Sequence, residues 1–154
     1  MRILLGIILS LLAGGAATAL YAWLVWWLDR YEKEPWWLLA LVFLWGAVPA
    51  VILSVVIELI LDIPISVLGH GLAYEVAGGS VVAPVVEEVA KGLAVFGVLL
   101  FVRREMDDVL DGIVYGAMAG LGFAFTENFF YFVGSLQEGG WGVWVVVVLM
   151  RTVI

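Results

Sequence analysis

An uncharged run near the start of the chain restricts the fold more than any other feature. Residues 3–28 contain no charged side chain, and the run ends in Trp26 and Trp27. The apolar core of a secretory signal peptide is only about 7–15 residues long, whereas a bilayer-spanning helix needs about 20. We therefore expect a membrane span here. A cleaved signal peptide stays open as the alternative, because residues 17–19, Ala-Thr-Ala, match the small-residue pattern of a cleavage site.

The composition of the whole chain points to the same class of protein. Of the 154 residues, 65% are hydrophobic and 14% are charged, whereas soluble domains have about 45–50% and about 25%. One small soluble core could not bury this excess. The net charge of −7 and the absence of a basic run argue against nucleic-acid binding. The absence of cysteine excludes disulfides and thiolate metal sites.

Further apolar runs predict an all-α, polytopic membrane helical bundle. We expect about five transmembrane helices in a single domain over residues 1–154, with spans at about 3–28, 36–61, 81–102, 109–133 and 143–154. Between these spans we expect a loop with one interfacial helix over 62–80 and a short loop over 135–142. The last run has only about 12 residues, too few to cross a bilayer. We therefore expect its helix to be incomplete and the chain to be truncated.

The basic residues predict which loops face the cytoplasm. Arg30 and Lys33 lie in the first loop, and Arg103 and Arg104 lie in the third, whereas the second and fourth loops contain no Lys or Arg. Cytoplasmic loops carry an excess of these residues. We therefore expect the first and third loops to be cytoplasmic and the other two to be external.

Charged and amide side chains inside the third and fourth spans are the most informative residues. Span three carries Glu87, Glu88 and Lys91, and span four carries Glu127 and Asn128. Each charge costs at least a few kcal/mol near the bilayer centre unless it is paired or hydrated. Both Glu87 and Glu127 lie about six residues, roughly 9 Å, from the external end of their span. Since the two spans are antiparallel neighbours, we expect these carboxylates to meet at one depth.

Small residues in span four predict how it packs. Gly112, Gly116 and Gly120 form a seam that allows close approach of another helix. At about 100° per residue, Glu127 falls on the same face, and Phe123 lies beside it one turn earlier. The packing face of span four is therefore expected to carry the acid.

The charge pattern fits acid–base chemistry, but simpler interpretations stay open. Lys91 follows the two glutamates of span three by three and four residues, so it can reach either carboxylate. Two nearby carboxyls in a low-dielectric pocket take different protonation states, as general acid–base catalysis requires. Alternatively, Glu87 and Lys91 form a neutral pair that only fixes helix register, and Glu127 with Asn128 only joins helices by hydrogen bonds.

Two motifs resemble those of the PrsW family of intramembrane proteases. The segment from Glu87 to Lys91, Glu-Glu-Val-Ala-Lys, preceded by Ala83-Pro84, resembles the EExxK motif of that family. The segment from Phe123 to Asn128, Phe-Ala-Phe-Thr-Glu-Asn, resembles its FxxxEN motif. The resemblance covers roughly residues 29–133, because Asp111–Gly116, Gly120–Phe123 and Tyr31–Pro35 are also similar to family sequences.

The resemblance implies hydrolysis of peptide bonds in or near the membrane. The expected substrates are single-span membrane proteins, such as an anti-sigma factor that is first cut on the external side during envelope stress. The expected location is a bacterial or archaeal plasma membrane, with the lipid bilayer as a further partner. Family members in turn resemble the CAAX-type prenyl endopeptidases.

By the same resemblance, each motif residue has an expected role. Glu87 would activate water, and Glu88 would assist or orient it. Glu127 would be the partner acid that shuttles a proton or binds a metal. Lys91 and Asn128 would orient carboxylates or polarise the scissile carbonyl, with Phe123 as a further orienting residue.

The expected cofactor is either none or a divalent metal such as zinc. The family has a further motif with a histidine, which would fall beyond Ile154, and Arg151 resembles the residue that leads into it. The one histidine of this chain, His70, matches no family motif and is expected to be a solvated or interfacial residue of the external loop. Glutamates without further histidines would make a poor zinc site.

Two other functions remain alternatives. Glutamate and lysine inside a membrane also mark ion pathways, so a small ion-coupled transporter is one, although no inverted repeat is visible. The other is a non-catalytic assembly or regulatory subunit, in which the glycine seam would mediate oligomerisation.

Overall fold

The predicted all-α class is confirmed. The computed structural model describes residues 2–29, 33–67 and 81–153, of which 94% are helical. No strand occurs among them. The helices and helical turns, in chain order, are α1 (Arg2–Leu28), α2 (Trp36–Trp45), a π-helical turn (Gly46–Ala50), α3 (Val51–Val67), α4 (Ala83–Phe101), a 3-10 turn (Arg103–Glu105) and α5 (Val109–Val153).

Three helical stretches of the described chain are long and apolar enough to cross a membrane, at Leu4–Leu28, Trp36–Leu61 and Val109–Val153. The chain is therefore an integral membrane protein, but the predicted number of about five spans is not confirmed. Helix α4 has 19 residues, a sufficient length, but it contains two glutamates and a lysine. Helix α4 differs from the three stretches in having three charged side chains within a short apolar helix.

A proline explains the π-helical turn between α2 and α3. Pro49 lies inside this turn. In an α-helix, proline removes one backbone hydrogen bond and its ring clashes with the carbonyl four residues earlier. The wider π-helical turn accommodates this change locally. The stretch from α2 to α3 therefore stays helical through the proline, as the predicted second span requires.

Two predicted loops differ from the structure. Helix α3 continues to Val67, so the start of the loop predicted over 62–80 is wrong. Residues 68–80, with His70, lie outside the described residues. The loop predicted over 135–142 is also wrong, because α5 is helical on both sides of the single non-helical residue Gly140.

The chain nevertheless reverses direction at Gly140. Arg151 lies 3.2 Å from Glu127, although the two residues are 24 positions apart. A straight helix would separate them by about 36 Å. Gly140 has φ 67° and ψ −165°, a conformation that is essentially restricted to glycine. The residues of α5 from Ala124 onward therefore form a hairpin with two arms, 124–139 and 141–153.

Helix α1 belongs to the same compact unit as this hairpin. Trp144 Nε1 donates a hydrogen bond of 3.0 Å to Ser10 Oγ. The Tyr21 hydroxyl donates one of 2.9 Å to the carbonyl of Thr152. Since both contacts advance in the same direction along the chain, α1 runs parallel to the arm 141–153.

The second compact unit comprises Glu34–Phe123. At its centre, Ala50, Ala90 and Phe123 form a buried cluster. Close backbone approach occurs at two glycines, since a Cβ atom at Gly46 would overlap the Ala119 carbonyl oxygen. A Cβ atom at Gly122 would likewise overlap the Phe43 carbonyl oxygen. Helices of this unit therefore cross in direct backbone contact.

The predicted glycine seam of α5 has more open surroundings. A Cβ atom at Gly112 or Gly120 would meet no other side chain or helix within 4 Å, and one at Gly116 would meet Val95 at 3.9 Å. The use of this seam as a packing surface stays a prediction.

Candidate active site

The three charged residues of α4 form one contact group. Lys91 Nζ donates a hydrogen bond of 2.7 Å to Glu88 Oε1 and lies 3.7 Å from Glu87 Oε2. Helical spacing of three and four residues produces these contacts. The prediction that Lys91 reaches either carboxylate is therefore confirmed.

The two glutamates have different surroundings. The side chain of Glu88 is 74% exposed, whereas that of Glu87 is 28% exposed. Lys91 is more buried still, at 17%. Glu87 is thus the less exposed carboxylate next to a partly buried ammonium group. Its interactions extend beyond this ion pair.

An aromatic ring supports the ammonium group of Lys91. Lys91 Nζ lies 4.3 Å from the centroid of the Phe123 ring, close enough for a cation–π interaction. Phe123 is buried and packs with Ala50 and Ala90. The first residue of the FxxxEN-like motif therefore contacts the last residue of the EExxK-like motif.

A tryptophan fixes the backbone of α4 beside the charges. Trp45 Nε1 donates a hydrogen bond of 3.0 Å to the carbonyl oxygen of Ala90, the residue before Lys91. Trp45 belongs to neither of the predicted motifs. The sequence gives one indication of this contact, because a tryptophan in an apolar span needs an acceptor for its N–H group.

The second motif has a separate polar cluster around Arg151. Arg151 Nη2 donates to Glu127 Oε2 at 3.2 Å, and Arg151 Nε donates to Asn128 Oδ1 at 2.8 Å. The guanidinium carbon lies 3.8 Å from the centroid of the Tyr131 ring. A planar guanidinium can form such contacts with a carboxylate, an amide and an aromatic face together. Sequence reasoning assigned no site role to Arg151 or Tyr131.

These contacts restrict what Glu127 and Asn128 can do. The Glu127 side chain is 33% exposed and is paired with a guanidinium, which does not lose its proton in proteins. Asn128 accepts through its carbonyl oxygen, so its amide group keeps its donor capacity. The cluster therefore combines a fixed carboxylate with an oriented amide.

The two clusters belong to different compact units. The α4 charges and Phe123 lie in the unit Glu34–Phe123, whereas Glu127 and Asn128 lie in the unit that contains α1. The predicted meeting of Glu87 and Glu127 therefore stays a prediction.

A third polar contact joins the segment just before α2 to α5. The Tyr115 hydroxyl donates a hydrogen bond to the Glu34 carboxylate, and both side chains are buried. Both residues lie in segments that show the family resemblance, but neither has a predicted catalytic role. The contact holds two segments that are 81 positions apart.

Comparison with protein families identifies a match. The model of a family described as PrsW family intramembrane metalloprotease matches residues 34–154. This range includes both motifs and Arg151. No curated protein and no solved structure matches the chain.

The family description implies a metal ion, which would need several donor atoms from closely placed side chains. Within 2–29, 33–67 and 81–153, no group of three or more His, Asp or Glu side chains could hold a metal ion. The carboxylates of Glu87 and Glu88 share the ammonium group of Lys91 instead. Zinc sites use three or four closely placed ligands, usually with His or Cys among them. The described residues therefore do not fit a metal site.

Proposed function

This chain belongs to the PrsW family of intramembrane metalloproteases, and we propose that it hydrolyses peptide bonds of membrane-anchored proteins with water activated by a glutamate. The proposed substrates are single-span membrane proteins of a bacterial or archaeal plasma membrane. An anti-sigma factor cut during an envelope stress response is one such substrate.

The observation that carries the proposal is the group of Glu87, Glu88 and Lys91 on an otherwise apolar helix. A structural ion pair needs one acid and one base, but Lys91 contacts two carboxylates. The extra carboxylate costs several kcal/mol in a membrane unless it is hydrated. A hydrated carboxylate next to a positive charge is what activation of water requires.

Burial divides the roles of the two glutamates. Glu87, the less exposed of the two, accepts a proton from water as the general base. The hydroxide adds to the scissile carbonyl carbon, and the protonated Glu87 then gives its proton to the leaving amide nitrogen. Glu88 holds the ammonium group of Lys91 through their 2.7 Å hydrogen bond, which orients Lys91 toward the developing oxyanion.

The residues of the second motif complete the proposed site. Glu127 is the partner carboxylate, and the Asn128 amide is a second donor to the oxyanion. The resemblance to the FxxxEN motif supports this assignment, because Glu127 and Asn128 are the last two residues of that motif. The Phe123 ring contacts the ammonium group of Lys91. Arg151 acts as a positioning residue, since it contacts both Glu127 and Asn128.

The test is a cleavage assay with the full-length protein in liposomes that contain single-span membrane proteins. We expect Glu87→Gln to abolish cleavage while the protein stays inserted and folded. The matched control is Glu138→Gln, because Glu138 is an exposed residue outside both clusters. Undiminished cleavage by Glu87→Gln would refute the assignment.

A chelator arm of the same assay tests the metal. Full activity in chelator supports hydrolysis by the side chains named above. Loss of activity in chelator, restored by zinc, would show that a metal takes part in the activation of water. A pH-gradient-driven flux in the same liposomes without any cleavage would instead favour a transporter.

A further inference from the structure

A groove between α2 and α4 lies away from the charged clusters. Its volume is about 480 Å³ and every residue that lines it is apolar. Its floor includes the buried residues Leu38, Val42 and Val98, whereas Trp37 and Phe96 on its walls are about half exposed. The groove is therefore open to the surroundings of the helices, and its size is typical of a small-molecule site.

The length of the groove corresponds to one leaflet of a bilayer. Along α4 it extends from Leu93 to Val102, about 13 Å at 1.5 Å per residue. The hydrocarbon core of a bilayer is about 30 Å thick, so one leaflet contributes about 15 Å. A single acyl chain that enters at Val102 would be covered along most of its length.

Charged groups lie at the Val102 end of the groove. Arg103 and Arg104 follow directly and are exposed. In the described part of the chain, neither guanidinium forms an ion pair. Two adjacent guanidinium groups can bind a phosphate through several charge-assisted hydrogen bonds.

The carboxylates of the same turn define the rest of the headgroup. Asp108 accepts a hydrogen bond from the backbone of Val109, at 2.6 Å. For the carboxylates of Glu105 and Asp107, no partner is found among the described residues. These negative charges disfavour a headgroup with an additional negative charge, but they match an ammonium group. Charge complementarity thus fits a phosphate with a nearby primary amine.

We propose that this groove binds a phosphatidylethanolamine molecule of the cytoplasmic leaflet. One acyl chain fills the groove, Arg103 and Arg104 bind the phosphate, and Glu105 and Asp107 accept hydrogen bonds from the ammonium group. The leaflet follows from the positive-inside rule, since this loop carries two arginines. The site is separate from the proposed peptidase chemistry and does not depend on it.

Two glycines on α4 provide a matched pair of variants. Gly97 lines the groove and Gly92 does not. A Cβ atom at either position would meet no other side chain or helix within 4 Å, so both Gly97→Leu and Gly92→Leu should fold, with a similar gain in helix propensity. In Gly97→Leu, however, the new side chain occupies the space of the acyl chain.

The experiment measures binding of dioleoyl-phosphatidylethanolamine to the full chain in detergent by native mass spectrometry. We expect Gly97→Leu to weaken binding by about tenfold, which corresponds to the loss of about two buried methylene groups. Gly92→Leu should bind within about twofold of wild type. Equal binding by the two variants would overturn the proposal.

The headgroup is tested with the double variant Arg103→Gln/Arg104→Gln and with other lipids. Dioleoylglycerol has the same acyl chains but no phosphate, so wild type should bind it weakly. The double variant should bind phosphatidylethanolamine with the same low affinity. Wild type should prefer phosphatidylethanolamine to dioleoyl-phosphatidylglycerol. If wild type binds dioleoyl-phosphatidylglycerol as tightly as phosphatidylethanolamine, or more tightly, the proposed charge complementarity is contradicted.

Two other occupants give distinct results. If the groove instead receives a transmembrane segment of another protein, wild type will bind an apolar peptide of about 20 residues and Gly97→Leu will not, while the two proteins bind the lipid equally. If it receives a second copy of the chain, Gly97→Leu will abolish a dimer that Gly92→Leu retains. Either result would overturn the lipid assignment.

Discussion

Lys91 Nζ lies 4.3 Å from the centroid of the Phe123 ring, so two motifs that are far apart in the sequence meet at one side chain. The ring stabilises an ammonium group that already contacts two carboxylates. Removal of any one of these partners should therefore affect the others.

Lys91→Gln should lower the cleavage rate by about 10²–10³-fold, because it removes a preorganised positive charge from the site. It also leaves two carboxylates without their shared cation. The measurement is the initial cleavage rate in liposomes, with helix content measured by circular dichroism. The control is Lys33→Gln, since the ammonium group of Lys33 lies over Trp26 instead. Equal rates for the two variants would show that Lys91 has no catalytic role.

Phe123→Leu should reduce the cleavage rate by about tenfold, because it removes the cation–π interaction but keeps an apolar side chain. Phe130→Leu makes the same chemical change at an exposed ring and should leave the rate unchanged. A Phe123→Leu variant with the wild-type rate but lower stability would assign the ring to packing alone.

Arg151 and Glu127 should be energetically coupled. A double-mutant cycle with Glu127→Gln and Arg151→Gln should give an interaction energy of about 1–3 kcal/mol, since the two side chains share a charge-assisted hydrogen bond of 3.2 Å. Unfolding in mixed micelles provides the free energies. Additive effects of the two substitutions would mean that the contact contributes nothing to stability.

Gly140→Ala should destabilise the hairpin by about 1–3 kcal/mol, because its conformation is essentially available to glycine alone. Gly142→Ala is the matched control, since that residue is helical and a Cβ atom there would meet no other side chain or helix within 4 Å. The control should be neutral or slightly stabilising. Similar losses in the two variants would contradict a special requirement at Gly140.

Tyr115→Phe should destabilise the protein by about 1–3 kcal/mol, because it leaves the buried Glu34 carboxylate without its hydroxyl donor. Tyr131→Phe is the comparison, because Tyr131 is exposed and its ring is retained against Arg151. Cleavage at a temperature where both variants are folded should be unchanged. A large loss of cleavage rate by folded Tyr115→Phe would move this residue into the catalytic machinery.

Local features of the fold and site could be predicted from the sequence. The uncharged run of α1 and the reach of Lys91 both follow from helix length or spacing within one helix. The reversal between the last two apolar runs was also predicted, but as a loop over 135–142. Three glycines at 139, 140 and 142 are typical of a loop, and only the backbone angles show that a single residue makes the turn.

Contacts between distant segments could not be predicted in this way. Arg151 reaches Glu127 only because the chain reverses at Gly140, and Trp45 reaches Ala90 across 45 positions. The Glu34–Tyr115 contact spans 81 positions. Hydrophobic periodicity gives the face of a helix but not its partner, so these pairings depend on tertiary packing that no single helix encodes.

The hairpin at Gly140 has a consequence for biosynthesis. Glu127 emerges from the ribosome before its counter-ion does, because Arg151 belongs to the returning arm. An unpaired carboxylate is poorly released into lipid. The translocon should therefore retain this segment until the arginine emerges, so that release of the last two arms into the bilayer is a single concerted event.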